Sequence, residues 1–135
     1  MKARLESVHR GAAWVGIGAI FVASLARAEL DFSDFDDFLM QSMERTLKAL
    51  EPRIRAHDIA AATDDAESLR EGLQWAEQYF TRKGSADDAV TLAKQGQELA
   101  ATVVRSLAAK DFDGAATAAR GVAKTCRSCH DAYRP

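Results

Sequence analysis

From Phe112 to Tyr133, apolar and small residues recur at steps of three and four: Phe112, Ala115, Ala116, Ala119, Val122 and Ala123, then Cys126, Cys129, His130 and Tyr133. Side chains three and four apart stack on one helical face, so this segment predicts an amphipathic helix whose apolar stripe runs into two thiols and an imidazole. Such a helix cannot bury its stripe alone. Beyond Asp31 no stretch alternates with period two, Pro52 is the only internal proline and alanine is abundant, so the partners are helices too and the chain is all-α.

Three more amphipathic segments precede it. The first helix is expected from near Ser33, carrying Phe35, Phe38, Leu39, Met40, Met43, Leu47 and Leu50, with Pro52 kinking or ending it. The second starts at Asp58 or Thr63 and runs to about Gly84, with Ala62, Ala66, Leu69, Leu73, Ala76 and Phe80 inward and Trp75 and Tyr79 flanking that stripe. The third begins at Ser85, where Ser-Ala-Asp-Asp resembles a capping box, and passes through Val90, Ala93, Gly96, Ala100, Val103 and Leu107. Asp111 is the expected N-cap of the fourth, with Asp113 suited to the positive end of its dipole. Short connections force neighbouring helices to reverse, which predicts an antiparallel up-down-up-down four-helix bundle. The N-terminal half of helix one then lies beside the C-terminal end of helix four.

Within helix four, Cys126-Arg127-Ser128-Cys129-His130 is a C-x-x-C-H string. Two thiols three apart can each add to a vinyl group of one porphyrin, and the adjacent histidine then falls under the iron, so the string is an attachment signal for a covalent haem c. Two other chemistries use the same residue types. A structural zinc site lacks its second half, because outside this cluster the mature chain offers only His57 and no second cysteine pair. A redox or structural disulfide is compatible with an oxidising compartment, but thioredoxin-like C-x-x-C pairs sit in a βαβ context that this chain does not have. The stripe predicts that Cys126, Cys129 and His130 share the buried face, with the haem sandwiched against Met40 and Met43. Trp75 and Tyr79 read as core or dimer-contact aromatics, or else as contacts to the haem edge.

The other end of the chain points to a compartment. Lys2, Arg4 and Arg10 precede an apolar run from Gly11 to Leu25 and then Ala26-Arg27-Ala28, the pattern of a secretory signal peptide cut after Ala28. The run is short of the roughly twenty residues that span a bilayer, which weighs against an uncleaved anchor. Residues 1–28 are therefore read as the signal peptide and 29–135 as one domain exported to the periplasm. Cleavage leaves 14 Lys and Arg against 19 Asp and Glu, a net charge of −5. An acidic domain has no electrostatic case for nucleic acid and favours redox partners with basic patches.

The string from Cys126 through Arg134 has the form C-x-x-C-H-D-x-Y-R, and with four helices it resembles the cytochrome c prime family, including its low-spin, methionine-ligated relatives. The similarity covers the whole mature chain. Met40, Met43, Ala49 and Leu50 fit the first-helix spacing of those relatives, and Asp58-Ile59-Ala60-Ala61 followed by Leu69 looks like the family's second-helix start. The resemblance implies that Cys126 and Cys129 are the thioether sites, His130 the proximal iron ligand, Met40 the distal ligand with Met43 as alternate, and Arg134 a residue near the proximal face. It also implies a homodimer. The chain departs from the pattern in a shorter first connection and in Asp37-Phe38, which stand where the family often has Arg-Gln.

Two functions follow from one axial position. If a methionine sulfur fills it, the iron is low-spin and the protein is an electron carrier. If it is open and lined by apolar side chains, the protein binds or buffers nitric oxide and other diatomic gases. An enzyme has little support: there is no Ser-His-Asp set, no phosphate loop and no spare carboxylate pair at an acid-base spacing. The clusters Asp34-Asp36-Asp37, Asp64-Asp65 and Asp87-Asp88 are expected near helix N-termini, and His57 in a solvated connection.

Overall fold

The computed structural model describes residues 33–133. Residues 1–28, where a signal peptide and its cleavage site are expected, and Arg134 lie outside the described residues. Four helices pack against each other: α1 Asp37–Arg55, α2 Ile59–Lys83, α3 Asp87–Ala108 and α4 Phe112–Tyr133, with no strand among the described residues. None of these helices is long and apolar enough to cross a membrane.

Helix α1 begins later than its apolar pattern suggested because Asp36 caps it, its side chain accepting from the Leu39 N–H at 2.9 Å. Pro52 neither stops it at once nor stands outside it; it lies inside the last turns and the helix runs on to Arg55. Phe38 is not part of the inward stripe. At 100° per residue it lies about 140° round from buried Met43, and it is 75% exposed.

The connections after α1 and α3 are the same device. After α1, the N–H of His57 donates to Ile54 and that of Asp58 to Arg53; after α3, Lys110 donates to Leu107 and Asp111 to Ser106. These pairs are Schellman closures, and they hold His57 (φ 58°) and Lys110 (φ 56°) in the left-handed region that glycine usually fills. Each closure is followed by an aspartate that caps the next helix: Asp58 accepts from Ala61 N–H at 3.2 Å, and Asp111 from Gly114 N–H at 2.9 Å. Ala56-His57-Asp58-Ile59 and Ala109-Lys110-Asp111-Phe112 thus repeat one pattern. The two turns meet, with the His57 ring stacked on Phe112 at 3.9 Å.

The third helix does not use the expected capping box. Gly84 (φ 69°) and Ser85 (φ 56°) both turn through the left-handed region, which leaves Ser85 in the loop and makes Ala86 the N-cap, with no side-chain cap bond. Asp88 accepts instead from the Ala89 N–H and from the Tyr133 hydroxyl at the end of α4. Asp64 and Asp65 also differ from expectation, since α2 starts at Ile59 and places both beyond its first turn. Asp65 is buried, bonded to Arg53 at 2.5 Å, and its Oδ2 has no hydrogen-bond partner among the described residues. Burial raises its pKa despite the Arg53 guanidinium.

The core falls into two clusters. The larger holds Met43, Leu50, Ile54, Leu69, Leu73, Val103, Leu107 and Val122 with the alanines of α2, α3 and α4; the smaller holds Tyr79, Phe80, Ala86 and Ala89. Contacts across the helices order them along the bundle. Gly96 of α3 meets Leu73 of α2 and Thr125 of α4, Gly121 meets Leu99, and Gln97 donates to Glu77 at 2.7 Å. Small residues at these crossings let the backbones approach closely.

Candidate functional site

On α4 the buried residues are Ala115, Ala118, Ala119, Val122 and Thr125. The buried stripe is centred on Ala115 and Val122 and extends round to Ala118 and Thr125, while Phe112, Ala116 and Ala123 lie beyond its other edge. Cys126, Cys129 and His130 are half-buried rather than buried, which corrects the expectation of a shared buried face. The physical reason is position along the helix: all three lie beyond Thr125, the last buried residue of α4, and Cys129, only about 20° round from Val122, is on the inward face but in the last turns.

Both cysteines are free thiols set in apolar surroundings. Cys126 packs on the larger cluster, together with Leu39, Met40 and Leu47 from α1; Cys129 packs on the smaller one, with Phe35, Trp75 and Tyr133. Burial pushes the Cys126 thiol up, and burial together with the nearby Cys126 and Asp88 pushes Cys129 up to about 11. Two neutral thiols on one side of α4 thus face both apolar clusters. His130 follows one step round the helix.

The elements opposite supply sulfur and rings. Met43 is buried and Met40 half-buried, one turn apart on α1. Phe35 stands edge-on to Trp75 at 5.2 Å and to Tyr79 at 4.7 Å, while Phe80 lies 5.3 Å from Tyr133. Tyr79 is in the core, and its hydroxyl donates to Asp34 at 2.8 Å; Lys83 pairs with the same carboxylate at 2.7 Å. Those hydrogen bonds, Lys83 first and Tyr79 second, lower the Asp34 pKa, and burial followed by the Asp34 bond raises that of Tyr79. A groove of about 310 Å³ opens between α1 and α2, lined by Leu39, Ser42, Met43, Ser68, Gly72 and Trp75 among others.

Among the described residues no three His, Cys, Asp or Glu side chains converge as a metal cage. The donor chemistry at the end of α4 is of another kind: two unpaired soft thiols, one imidazole, and apolar or aromatic side chains from α1, α2 and α4 around them. Those residues would suit an apolar group held covalently through the two cysteine sulfurs, with His130 and the methionines of α1 as the nitrogen and thioether donors near it. His57 has no part in it. It is exposed and stacks on the first residue of α4, about 27 Å along that helix from His130.

Sequence reasoning missed the Asp34–Tyr79–Lys83 group and the close approach of Met43 to Gly72. Their signal was a heptad: Asp65, Gly72 and Tyr79 are seven apart on α2 and meet Arg53, Met43 and Phe35 from the α1 side. No family model, curated protein or solved structure matches the chain.

Proposed function

We propose that this protein is a periplasmic c-type cytochrome that carries one covalent haem c on Cys126 and Cys129 and moves electrons between partner proteins. The observation that carries the reading is where burial stops. In α1 the buried residues begin only at Met43, and in α4 they end at Thr125, so Leu39, Met40, Cys126, Cys129 and His130 are half-buried side chains at one end of the bundle. That end also holds the C-x-x-C-H string.

An antiparallel order of the helices is part of the proposal. It is supported by the Asp34–Lys83 and Arg53–Asp65 pairs between α1 and α2, and by the Gly121–Leu99 and Tyr133–Asp88 contacts between α3 and α4. In that order Met43 stands level with Thr125 and Phe35 with Tyr133, so Met40 falls level with Ser128, within a turn of both cysteines and of His130. When bound, the haem supplies a one-electron couple between ferric and ferrous iron. The chain's part is to anchor it through two sulfurs, to give the iron a histidine and a thioether, and to keep the surroundings apolar. Thioether ligation raises the potential and holds both oxidation states low-spin. This reading makes the chain a relative of the cytochrome c prime family, exported behind residues 1–28 and acidic enough to meet basic partners quickly.

The test is an optical spectrum of the protein produced with its leader in a host that attaches haem. The expected result is covalent pigment that survives acid-acetone extraction and a low-spin spectrum in both oxidation states. Colourless protein would overturn the haem assignment. Covalent pigment that is high-spin and binds carbon monoxide at once would leave attachment standing and replace electron transfer with diatomic gas binding.

A further inference from the structure

Gly72 lies in the middle of α2, a helix of 25 residues. Glycine there costs helix stability, because its backbone gives up more freedom on ordering than that of alanine. The space a Cβ would fill is taken by the Met43 side chain: a Cβ at position 72 would stand 2.8 Å from Met43 Cγ and 2.9 Å from Cε, with Sδ closer still. The Met43 thioether is thus laid against bare α2 backbone. Met40, one turn earlier and about 60° round the helix, packs on the same core, is only half-buried, and is not among the nearest neighbours of any described glycine.

Two thioethers compete for one axial position in the haem reading, on which this inference rests. Since α1 offers both, the choice between them is made by what each sulfur is already packed against. We propose that Gly72 is a positioning residue: by omitting a Cβ it parks the Met43 thioether against α2 and leaves Met40 as the sulfur available to iron held by His130.

Variants of the haem-loaded protein test this. Met40→Ala alone should be high-spin, since Met43 stays parked. Adding Gly72→Ala should displace Met43 and return more than half of the molecules to a thioether-ligated low-spin spectrum, and adding Met43→Leu to that pair should abolish the recovery. A Met40→Ala/Gly72→Ala protein as high-spin as Met40→Ala would overturn the role of Gly72 and leave the haem assignment intact. Colourless protein would instead overturn the haem reading and the proposal with it. Thermal unfolding guards against a trivial folding defect. Gly72→Ala should lower the midpoint although alanine is the better helix former, and in a Met43→Ala background, where the opposing side chain is short, the same Gly72→Ala change should no longer lower it. If Gly72→Ala raises the midpoint with Met43 present, the slot does not constrain the methionine and the proposal fails.

Discussion

Met40 and Met43 differ by one helical turn, and in the haem reading proposed above that turn separates two roles. Met43 is 8% exposed and embedded in the main cluster, so Met43→Ala should cost about 2–5 kcal/mol in urea unfolding. It should leave the spin state of the haem-loaded protein unchanged. Met40→Ala should do the opposite, costing little stability while converting a low-spin spectrum to high-spin and speeding carbon monoxide binding to the ferrous form. A spin change on Met43→Ala alone would move the axial assignment by one turn. Cys129 carries a second prediction at this scale. The thiolate is the reactive form, and a pKa pushed up to about 11 leaves little of it at pH 8. In haem-free protein, alkylation of Cys129 by iodoacetamide should therefore lag well behind a free cysteine at pH 8 and keep accelerating as pH rises towards 11. The sign for stability follows from the same shift. A folded pKa above the unfolded value of about 8.5 gives a contribution that is complete below that value and lost as pH climbs to 11. A plateau in alkylation rate near pH 9 would contradict the burial of this thiol.

The helices were legible from periodicity, and their ends only where one side chain decides them. Asp58, Asp111 and Gly84 are local signals and stand where the sequence put them. Ser85 failed as a cap because two successive left-handed residues place it in the turn, a property of the backbone that no capping pattern encodes. The face of α4 was misjudged by part of a turn, since alanine and threonine give a weak stripe. The thiols and histidine of the candidate site were plain in the sequence, but their half-burial was not. The repeated turns predict two opposite effects. Lys110 is exposed and left-handed, so Lys110→Gly should stabilise by up to about 1 kcal/mol by removing the cost of a Cβ there. Asp111→Ala should destabilise by about 0.5–2 kcal/mol through the lost cap on α4. Chemical denaturation of the two variants checks both signs, and equal midpoints would mean that the turn contributes nothing to holding α3 against α4.

Across the whole molecule the two ends of the bundle are built differently. One is closed by the stacked turns at His57 and Phe112, with Leu50, Ile54, Leu107 and Ala115 fully buried close by. At the other end, α2 and α3 keep buried residues in Tyr79, Phe80, Ala86 and Ala89, while α1 before Met43 and α4 after Thr125 have none. Local opening free energy follows buried apolar contact, so opening of this chain should be polarised along the bundle axis. Without haem, amide hydrogen exchange should be fastest in the first turns of α1 and the last turns of α4. It should be slowest around Leu50, Ile54 and Leu107. Covalent haem would bring apolar contacts to the weak end alone, so attachment should slow exchange there by the larger factor and raise the thermal midpoint. Mass spectrometry of exchanged peptides from the pigmented protein and from Cys126→Ser/Cys129→Ser measures both profiles. Protection gained evenly along all four helices, or chiefly around His57 and Phe112, would place the stabilising group elsewhere and argue against a haem seated between Met40 and His130.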